Sequence, residues 1–130
     1  MNKLLVPDDP RHQLGVTQMD ETHLEFVELV NQLNVIDKAG FADLFMQLIE
    51  HTQQHFESEN QLMLQTQFPA TQEHQAEHLR VLGDLQRMTR SINKGSTLMA
   101  RSYVREMLPS WFKLHAVTMD SALAAHINSR

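Results

Sequence analysis

The chain has 130 residues, a net charge of −5 and no cysteine, and 42% of its residues are apolar. This length indicates one domain with a single core, and the lack of cysteine excludes disulfides, thiolate catalysis and cysteine-based zinc or iron–sulfur sites. The acidic balance, without a run of Lys or Arg, argues against nucleic-acid and membrane partners.

The first ten residues do not have the pattern of a targeting sequence. Their apolar stretch is only Leu4-Leu5-Val6, whereas a signal peptide needs about 7–15 apolar residues. No later stretch approaches the roughly 18 apolar residues that span a membrane. Together with the absence of cysteine, these features predict a cytoplasmic protein.

Three breaks divide the chain after an irregular N-terminal arm, which is predicted over residues 1–16. They are Ala39-Gly40, Gln67-Phe68-Pro69 and Asn93-Lys94-Gly95-Ser96. In the four segments that remain, apolar residues recur at alternating steps of four and three, which is typical of a helix packed in a bundle. Because short loops join long helices, the sequence predicts a single all-α domain over residues 1–130, with an up-down-up-down antiparallel four-helix bundle over residues 17–130.

Each predicted helix has one inward-facing seam. In chain order the seams are Met19, His23, Phe26, Val30, Leu33; Phe41, Phe45, Leu48, Thr52, His55, Glu59, Leu62; His74, His78, Val81, Leu85, Met88, Ile92; and Val104, Leu108, Trp111, His115, Thr118, Ala122. Pro109 interrupts the last segment. It predicts a kink or a restart there, because proline removes a helical hydrogen bond and clashes one turn back.

Six ionisable side chains occupy seam positions where Leu or Val is expected. They are His23, His55, Glu59, His74, His78 and His115. Counted from the intervening break, His23 and His55 lie at the same height along an antiparallel pair of helices, and the other breaks place the remaining four in that layer. An unpaired buried polar group costs about 1–3 kcal/mol, and neutral imidazoles are common ligands of Fe, Zn, Cu and Ni. The layer therefore predicts a metal site.

The motifs around these residues resemble those of the bacterial hemerythrins, single-domain non-haem di-iron proteins that bind oxygen. The matching pieces cover nearly the whole chain and are Gly15-Val16 with Asp20-Glu21-Thr22-His23, His55-Phe56-Glu57-Ser58-Glu59, Phe68-Pro69, His74-xxx-His78 and Trp111-xxx-His115-xxxx-Asp120. The resemblance implies two iron ions, one held by three of the histidines and the other by two. The three are His74, His78 and His115, and the two are His23 and His55.

The resemblance also implies that Glu59, Asp120 and a solvent-derived oxygen bridge the irons. Asp120 is nominated by the family pattern alone, because it lies five residues after His115, about 140° round an ordinary helix. With this ligand set, two six-coordinate ions keep one open position, on the iron with two histidines. Dioxygen is the expected ligand there. We expect it to bind reversibly, because neutral imidazoles stabilise highly oxidised iron poorly.

Five side chains near these ligands are expected to line the oxygen pocket and to keep water and protons away from bound oxygen. They are Phe26, Phe56, Trp111, Phe112 and Ala116. Ala116 stands where relatives usually carry a larger aliphatic residue, which predicts a roomier pocket. Ordinary core packing is an alternative role for all five. His12 and His126 are expected at the surface, and His51 is expected as an exposed or core histidine, with a hydrogen bond to a ligand as the alternative.

The same ligand set leaves other functions open. We predict no enzymatic activity and no catalytic residues. A di-iron enzyme that reduces peroxide or nitric oxide, or a protein that stores iron, would use the same residues and is the alternative. A remote alternative is a zinc peptidase, because His74-Gln75-Ala76-Glu77-His78 satisfies the pattern H-x-x-E-H. The sequence identifies no protein partner.

Overall fold

Four antiparallel helices form a bundle in the computed structural model, which describes residues 3–7 and 9–130. Helix α1 covers Thr17–Val35, α2 covers Lys38–Gln65, and α3 covers Thr71–Asn93. Helix α4 runs over residues 98–128 and includes two π-helical turns, Tyr103–Met107 and Ala116–Asp120. Each helix packs against its neighbours in sequence, and α4 also packs against α1. The predicted all-α four-helix bundle is confirmed.

The connection between α1 and α2 lies slightly earlier than the sequence predicts. Asp37 caps α2, because its carboxylate accepts a hydrogen bond from the backbone N–H of Gly40 at 3.0 Å. Gly40 therefore belongs to the first turn of α2, and the predicted break at Ala39-Gly40 is wrong in position. The overlooked signal was an aspartate at a favourable N-cap position. The connections at 66–70 and 94–97 fall where the sequence predicts breaks.

The apolar core consists of two clusters with the ionisable layer between them. The larger cluster includes Phe26, Phe41 and Leu85, and the smaller one is formed by Met19, Met63, Leu123 and Ala124. Along α1, for example, Met19 belongs to the smaller cluster and Phe26 to the larger one, and His23 lies between them. Burial of these apolar faces on both sides stabilises the bundle and keeps the polar layer away from water.

The first π turn of α4 accommodates Pro109. The backbone N–H of Leu108 donates to the carbonyl of Tyr103, five residues back, instead of four. A π turn inserts one extra residue and so resets the register of a helix. Pro109 follows directly, buried at the start of the next α-helical segment, Leu108–His115. The predicted disturbance is thus a wider turn within one continuous helix.

The second π turn changes which residues of α4 face the core. After it, Asp120, Leu123 and Ala124 are buried, whereas Thr118 and Ala122 are exposed. The predicted seam is therefore wrong beyond His115. It assumed a constant α-helical period, and the backbone N–H of Ser121 instead bonds to the carbonyl of Ala116, five residues back.

The N-terminal arm is held against α1 by specific hydrogen bonds. Leu5, which is buried, exchanges two bonds with the side chain of Asn31, at 3.1 and 2.8 Å. The carboxylate of Asp20 accepts hydrogen bonds from the backbone N–H groups of Leu14 at 2.7 Å and Gly15 at 3.2 Å. Gly15 has a φ of 83°, a conformation that favours glycine.

Among residues 3–7 and 9–130, no helix combines the length and the apolar character needed to cross a bilayer.

Candidate metal centre

The seven predicted ligands lie together in the middle of the bundle, each at most 4% exposed. Their ligand atoms form two overlapping groups, within each of which they lie within 4.8 Å of one another. The groups are Glu59, His74, His78, His115, Asp120 and His23, His55, Glu59, Asp120. Both groups contain the same two carboxylates.

Glu59 divides its two carboxylate oxygens between the two groups of histidines. Its Oε2 lies 2.7 Å from Nε2 of His55 and 3.8 Å from Nε2 of His23. Its Oε1 lies 3.1 Å from Nε2 of His74 and 3.1 Å from Nε2 of His78. One oxygen thus faces the pair of histidines and the other faces the set of three.

Asp120 repeats this arrangement from the opposite side. Its Oδ2 lies 2.9 Å from Nε2 of His23, and its Oδ1 lies 3.1 Å from Nε2 of both His74 and His115. The side chain is fully buried. A regular α-helix would direct it away from His115, but the i→i+5 hydrogen bonds of the second π turn place residues five apart on one face.

Several polar atoms in the layer have no hydrogen-bond partner. They include Nε2 of His78, Nε2 of His115 and Oδ1 of Asp120. Buried polar atoms in native proteins are normally paired, and these three lie close to other ligand atoms without hydrogen-bond geometry. A shared cation would satisfy all of them. Imidazole nitrogen with carboxylate oxygen is a donor set that suits iron or zinc, so the residues fit a transition metal.

Two of the histidines are basic in the metal-free protein. Burial by itself would lower the pKa of His23, but its hydrogen bond with Asp120 and its interactions with the charges of Asp120 and Glu59 outweigh burial and raise the pKa to about 10. The same balance raises the pKa of His74 to about 9. Burial dominates at His78 and lowers its pKa.

Both carboxylates remain ionised despite their burial. Burial would raise the pKa of Glu59, but the charge of His55 and close contacts with the imidazoles of His23, His55 and His74 hold it well below its usual range. Burial and the charge of Glu59 would raise the pKa of Asp120, but its close contacts with the imidazoles of His115, His23 and His74 lower it. Without metal, protonated His23 and His74 therefore offset negative charge of the two carboxylates.

Two of the five predicted pocket residues lie beside the pair of histidines. The rings of Phe26 and Phe112 stack on each other with centroids 4.8 Å apart. The Phe112 ring is 5.3 Å from that of His23, and the Phe26 ring is 6.4 Å from that of His55. These two aromatic rings form an apolar wall on the side where the sequence predicts the open position.

Two other predicted pocket residues lie mainly against the set of three histidines. Phe56 stacks on His78 with centroids 3.8 Å apart, and Trp111 stacks on His115 at 4.6 Å. The fifth, Ala116, is fully buried directly after His115 and belongs to the larger core cluster. The predicted pocket set is thus distributed around the whole centre.

Glu77, the acidic residue of the H-x-x-E-H pattern, is directed away from the layer. Its Oε1 accepts hydrogen bonds from Nε1 of Trp111 at 2.7 Å and from the guanidinium of Arg80 at 2.6 Å. The bond to Arg80 also lowers the pKa of Glu77. A peptidase needs this carboxylate at the metal, and it instead fixes the ring that stacks on His115. Nothing in this arrangement supports the peptidase alternative.

The remaining histidines lie at the periphery of the centre. His126 is half-buried and donates from Nε2 to the carbonyl of Thr66 at 2.6 Å. His51 is half-buried and donates from Nε2 to the carbonyl of Thr22 at 3.3 Å. It therefore joins α2 to the backbone beside His23, and it does not bond to a ligand.

His12 was expected at the surface, and this prediction is wrong. Its side chain is buried, because the arm folds back over the bundle and places its ring 4.9 Å from that of Phe112. The carbonyl of His12 accepts a hydrogen bond from Nδ1 of His23 at 3.4 Å. Such a bond orients a ligand imidazole and leaves Nε2 for a metal. Sequence reasoning missed this role, for which the arm offered no periodic signal.

A buried layer of five histidines and two carboxylates in a four-helix bundle is typical of metal-binding helical bundle proteins. The sequence model of the "Hemerythrin HHE cation binding domain" family matches residues 14–127. The chain therefore belongs to the hemerythrin HHE family, whose members bind non-haem iron. Membership of this family indicates that the chain binds metal and has a function related to oxygen.

A curated relative agrees with this family. The chain is 24% identical over 123 residues to a protein named "Bacteriohemerythrin" from Stenotrophomonas maltophilia (strain R551-3), and the match covers 88% of this chain and 79% of the relative. No solved structure matches the chain significantly.

Proposed function

We propose that the chain binds two iron ions and takes up dioxygen reversibly between them and the Phe26–Phe112 wall. In this proposal His74, His78 and His115 hold one iron, and His23 and His55 hold the other. The observation that carries it is that Glu59 and Asp120 each direct one oxygen to either group of histidines. A bridging carboxylate requires this orientation.

Two ferrous ions, when bound, would supply the electrons that dioxygen binding requires. The chain's own residues would keep the process reversible. Phe26 and Phe112 exclude water from the side of His23 and His55, and exclusion of water and protons protects bound oxygen from side reactions. The bond from His23 to the carbonyl of His12 holds that imidazole in one tautomer.

The ligand chemistry supports binding over turnover. Five neutral imidazoles and two carboxylates bring less negative charge than the four carboxylates and two histidines of ferritin-like di-iron sites. Such a ligand set would stabilise highly oxidised iron poorly, which favours release of unchanged oxygen. Reduction of peroxide or nitric oxide and storage of iron would use the same ligands. The following experiment distinguishes these functions from reversible oxygen binding.

The test is the optical spectrum of the reduced, iron-loaded protein before air, after air and then under vacuum, with iron counted in the same sample. The proposal expects two irons per chain and an oxygen-dependent charge-transfer band that disappears under vacuum and returns in air. Irreversible bleaching would instead indicate turnover, and a single bound metal would contradict the ligand assignment.

A matched pair of variants tests the bridging role. Asp120→Ala removes one ligand from each iron and is expected to abolish stoichiometric loading, whereas Asp43→Ala, on the exposed face of α2, is expected to load two irons. Full loading of the Asp120→Ala variant would overturn the bridging assignment.

A further inference from the structure

His115 is a candidate ligand whose imidazole is not oriented by a hydrogen bond. Its Nε2 lies 3.1 Å from Oδ1 of Asp120, whereas its Nδ1 is buried and, among the described residues, has no hydrogen-bond partner. A ligand histidine usually donates its second ring N–H to a carboxylate, a carbonyl or water, which fixes the orientation of the ring. His23 has such a bond, to the carbonyl of His12. The orientation of His115 therefore needs another source.

The indole of Trp111 provides it by covering one face of the imidazole. The two residues lie four apart within one α-helical segment, Leu108–His115, so their side chains are neighbours on one face of the helix. Their rings are stacked, with centroids 4.6 Å apart and 20° between the ring planes. In a closely packed interior, a stacked neighbour opposes rotation of the imidazole, because the turned ring would overlap the indole.

The indole is in turn held by Glu77 on α3. Nε1–H of Trp111 donates to Oε1 of Glu77 at 2.7 Å, across the interface between α3 and α4. Glu77 directly precedes His78 in the chain, so the bond lies beside the metal centre. A hydrogen bond to a carboxylate is about twice as strong as one between neutral groups. Because Trp111 is only half-buried, packing does not enclose its ring, and this bond selects the stacked orientation.

We propose that Glu77 is a positioning residue of the metal centre, which acts through Trp111 to hold the imidazole of His115 with Nε2 towards the metal. Glu77 belongs to neither group of clustered ligand atoms, so its effect is indirect. The proposal rests on the proposed function for the role of His115 as a ligand. Without the bond, the indole and the imidazole behind it are free to turn, and metal leaves the centre faster.

The test measures the release of Zn²⁺ from the loaded, full-length protein to an excess of a chromogenic chelator. Glu77→Leu removes the acceptor of the indole N–H and is expected to speed release about tenfold, the lower end of the effect of groups that orient ligand histidines. Glu77→Gln keeps an acceptor oxygen at this position and is expected to restore most of the retention. This pair separates the hydrogen bond from the charge.

Arg80→Gln is the matched control. The guanidinium of Arg80 donates to the same oxygen of Glu77 at 2.6 Å, and its side chain is 53% exposed. The variant removes this ion pair and keeps the bond to Trp111, so the release of Zn²⁺ is expected to stay unchanged. The fluorescence anisotropy of Trp111, the single tryptophan, is expected to fall in zinc-loaded Glu77→Leu, whose indole turns more freely, and not in Arg80→Gln.

A second substitution tests whether Glu77 acts through the indole. Trp111→Phe keeps a ring at the position next to His115 but has no N–H, and it is expected to speed release as Glu77→Leu does. Because both changes remove the same hydrogen bond, their effects are expected not to add, and the double variant should release Zn²⁺ no faster than the faster of the two single variants.

Three comparisons of rates can overturn the proposal. They are release from Glu77→Leu at the rate of the unaltered chain, release from Arg80→Gln or Glu77→Gln as fast as from Glu77→Leu, and additive effects in the double variant. An unchanged anisotropy in Glu77→Leu would contradict it as well. Failure of the proposed function is a separate result, because it is read from the iron count and the oxygen-dependent band of the unaltered chain.

Discussion

Metal loading is expected to release protons from the ligand layer, and the number follows from the pKa values of two histidines. At pH 7, His23 with a pKa of about 10 and His74 with a pKa of about 9 are almost fully protonated in the metal-free protein. A metal ion binds only the deprotonated nitrogen. Loading at pH 7 therefore releases about two protons from these histidines, and one more where a bridging solvent molecule loses its proton.

The same protons set the pH dependence of metal affinity. Each released proton makes the apparent association constant rise about tenfold per pH unit, so two protons give about 100-fold between pH 7 and pH 8. Above pH 9 His74 is already deprotonated, and the slope falls. Calorimetric titration with Zn²⁺, repeated in two buffers with different ionisation enthalpies, measures both the affinity and the number of protons.

A variant pair identifies the source of the protons. His74→Ala is expected to release about one proton fewer, while His126→Ala, at a site outside the layer, is expected to release as many as the unaltered chain. Release of less than one proton by the unaltered chain at pH 7 would refute the reasoning, because it would mean that the two imidazoles are already neutral beside the carboxylates.

Three further predictions follow from individual contacts. Asn31→Ala removes both bonds to Leu5 and is expected to lower the free energy of unfolding by about 1–3 kcal/mol in denaturant titrations; the exposed neighbouring change Gln32→Ala should have little effect, and equal effects would contradict the arm's contribution. Ala116→Ile is expected to slow the loss of bound oxygen by autoxidation. Because the site is fully buried, the larger side chain should also lower the free energy of unfolding by about 1–3 kcal/mol. An unchanged or faster loss of oxygen would refute the assignment of Ala116 to the oxygen pocket. Trp111, the single tryptophan, stacks on His115, so a metal bound by His115 would lie close to it, and its fluorescence should fall when Co²⁺ or Fe²⁺ binds. Fluorescence that does not change on metal loading would place the metal elsewhere.

The metal-free protein should also respond to pH in its stability. Because the folded pKa values of His23 and His74 lie above the ordinary value of 6.5, the stability that they contribute is complete below pH 6.5 and is lost as the pH rises towards 9 and 10. The pKa values of Glu59 and Asp120 are lowered, so their contribution is present above their ordinary values and is lost in acid. Thermal unfolding of the metal-free chain from acid to pH 10 measures both the loss of stability in acid and the loss at high pH. A stability that increased steadily from pH 6.5 to pH 10 would contradict the contribution of the two histidines.

The sequence by itself determined the bundle and the six candidate ligands that lie on helical seams. Apolar spacing fixes which face of a helix is buried, and the distance from each break fixes the height of a side chain, because the rise per residue is constant. Both arguments place His23 and His55 at one level, and the structure brings them there. The sequence motif also nominated Asp120, but only through family resemblance.

Tertiary structure decided the features that depart from a constant helical period or that involve contacts between distant segments. The second π turn brings Asp120 round to His115 and moves the buried face of α4 to Leu123 and Ala124. A prediction from apolar spacing assumes a constant helical period, so it cannot locate a turn that contains one extra residue. The burial of His12 depends on bonds between the arm and α1, whose partners lie far apart along the chain. Local patterns determine what one helix buries, whereas the packing of the whole chain determines which irregular backbone is stable.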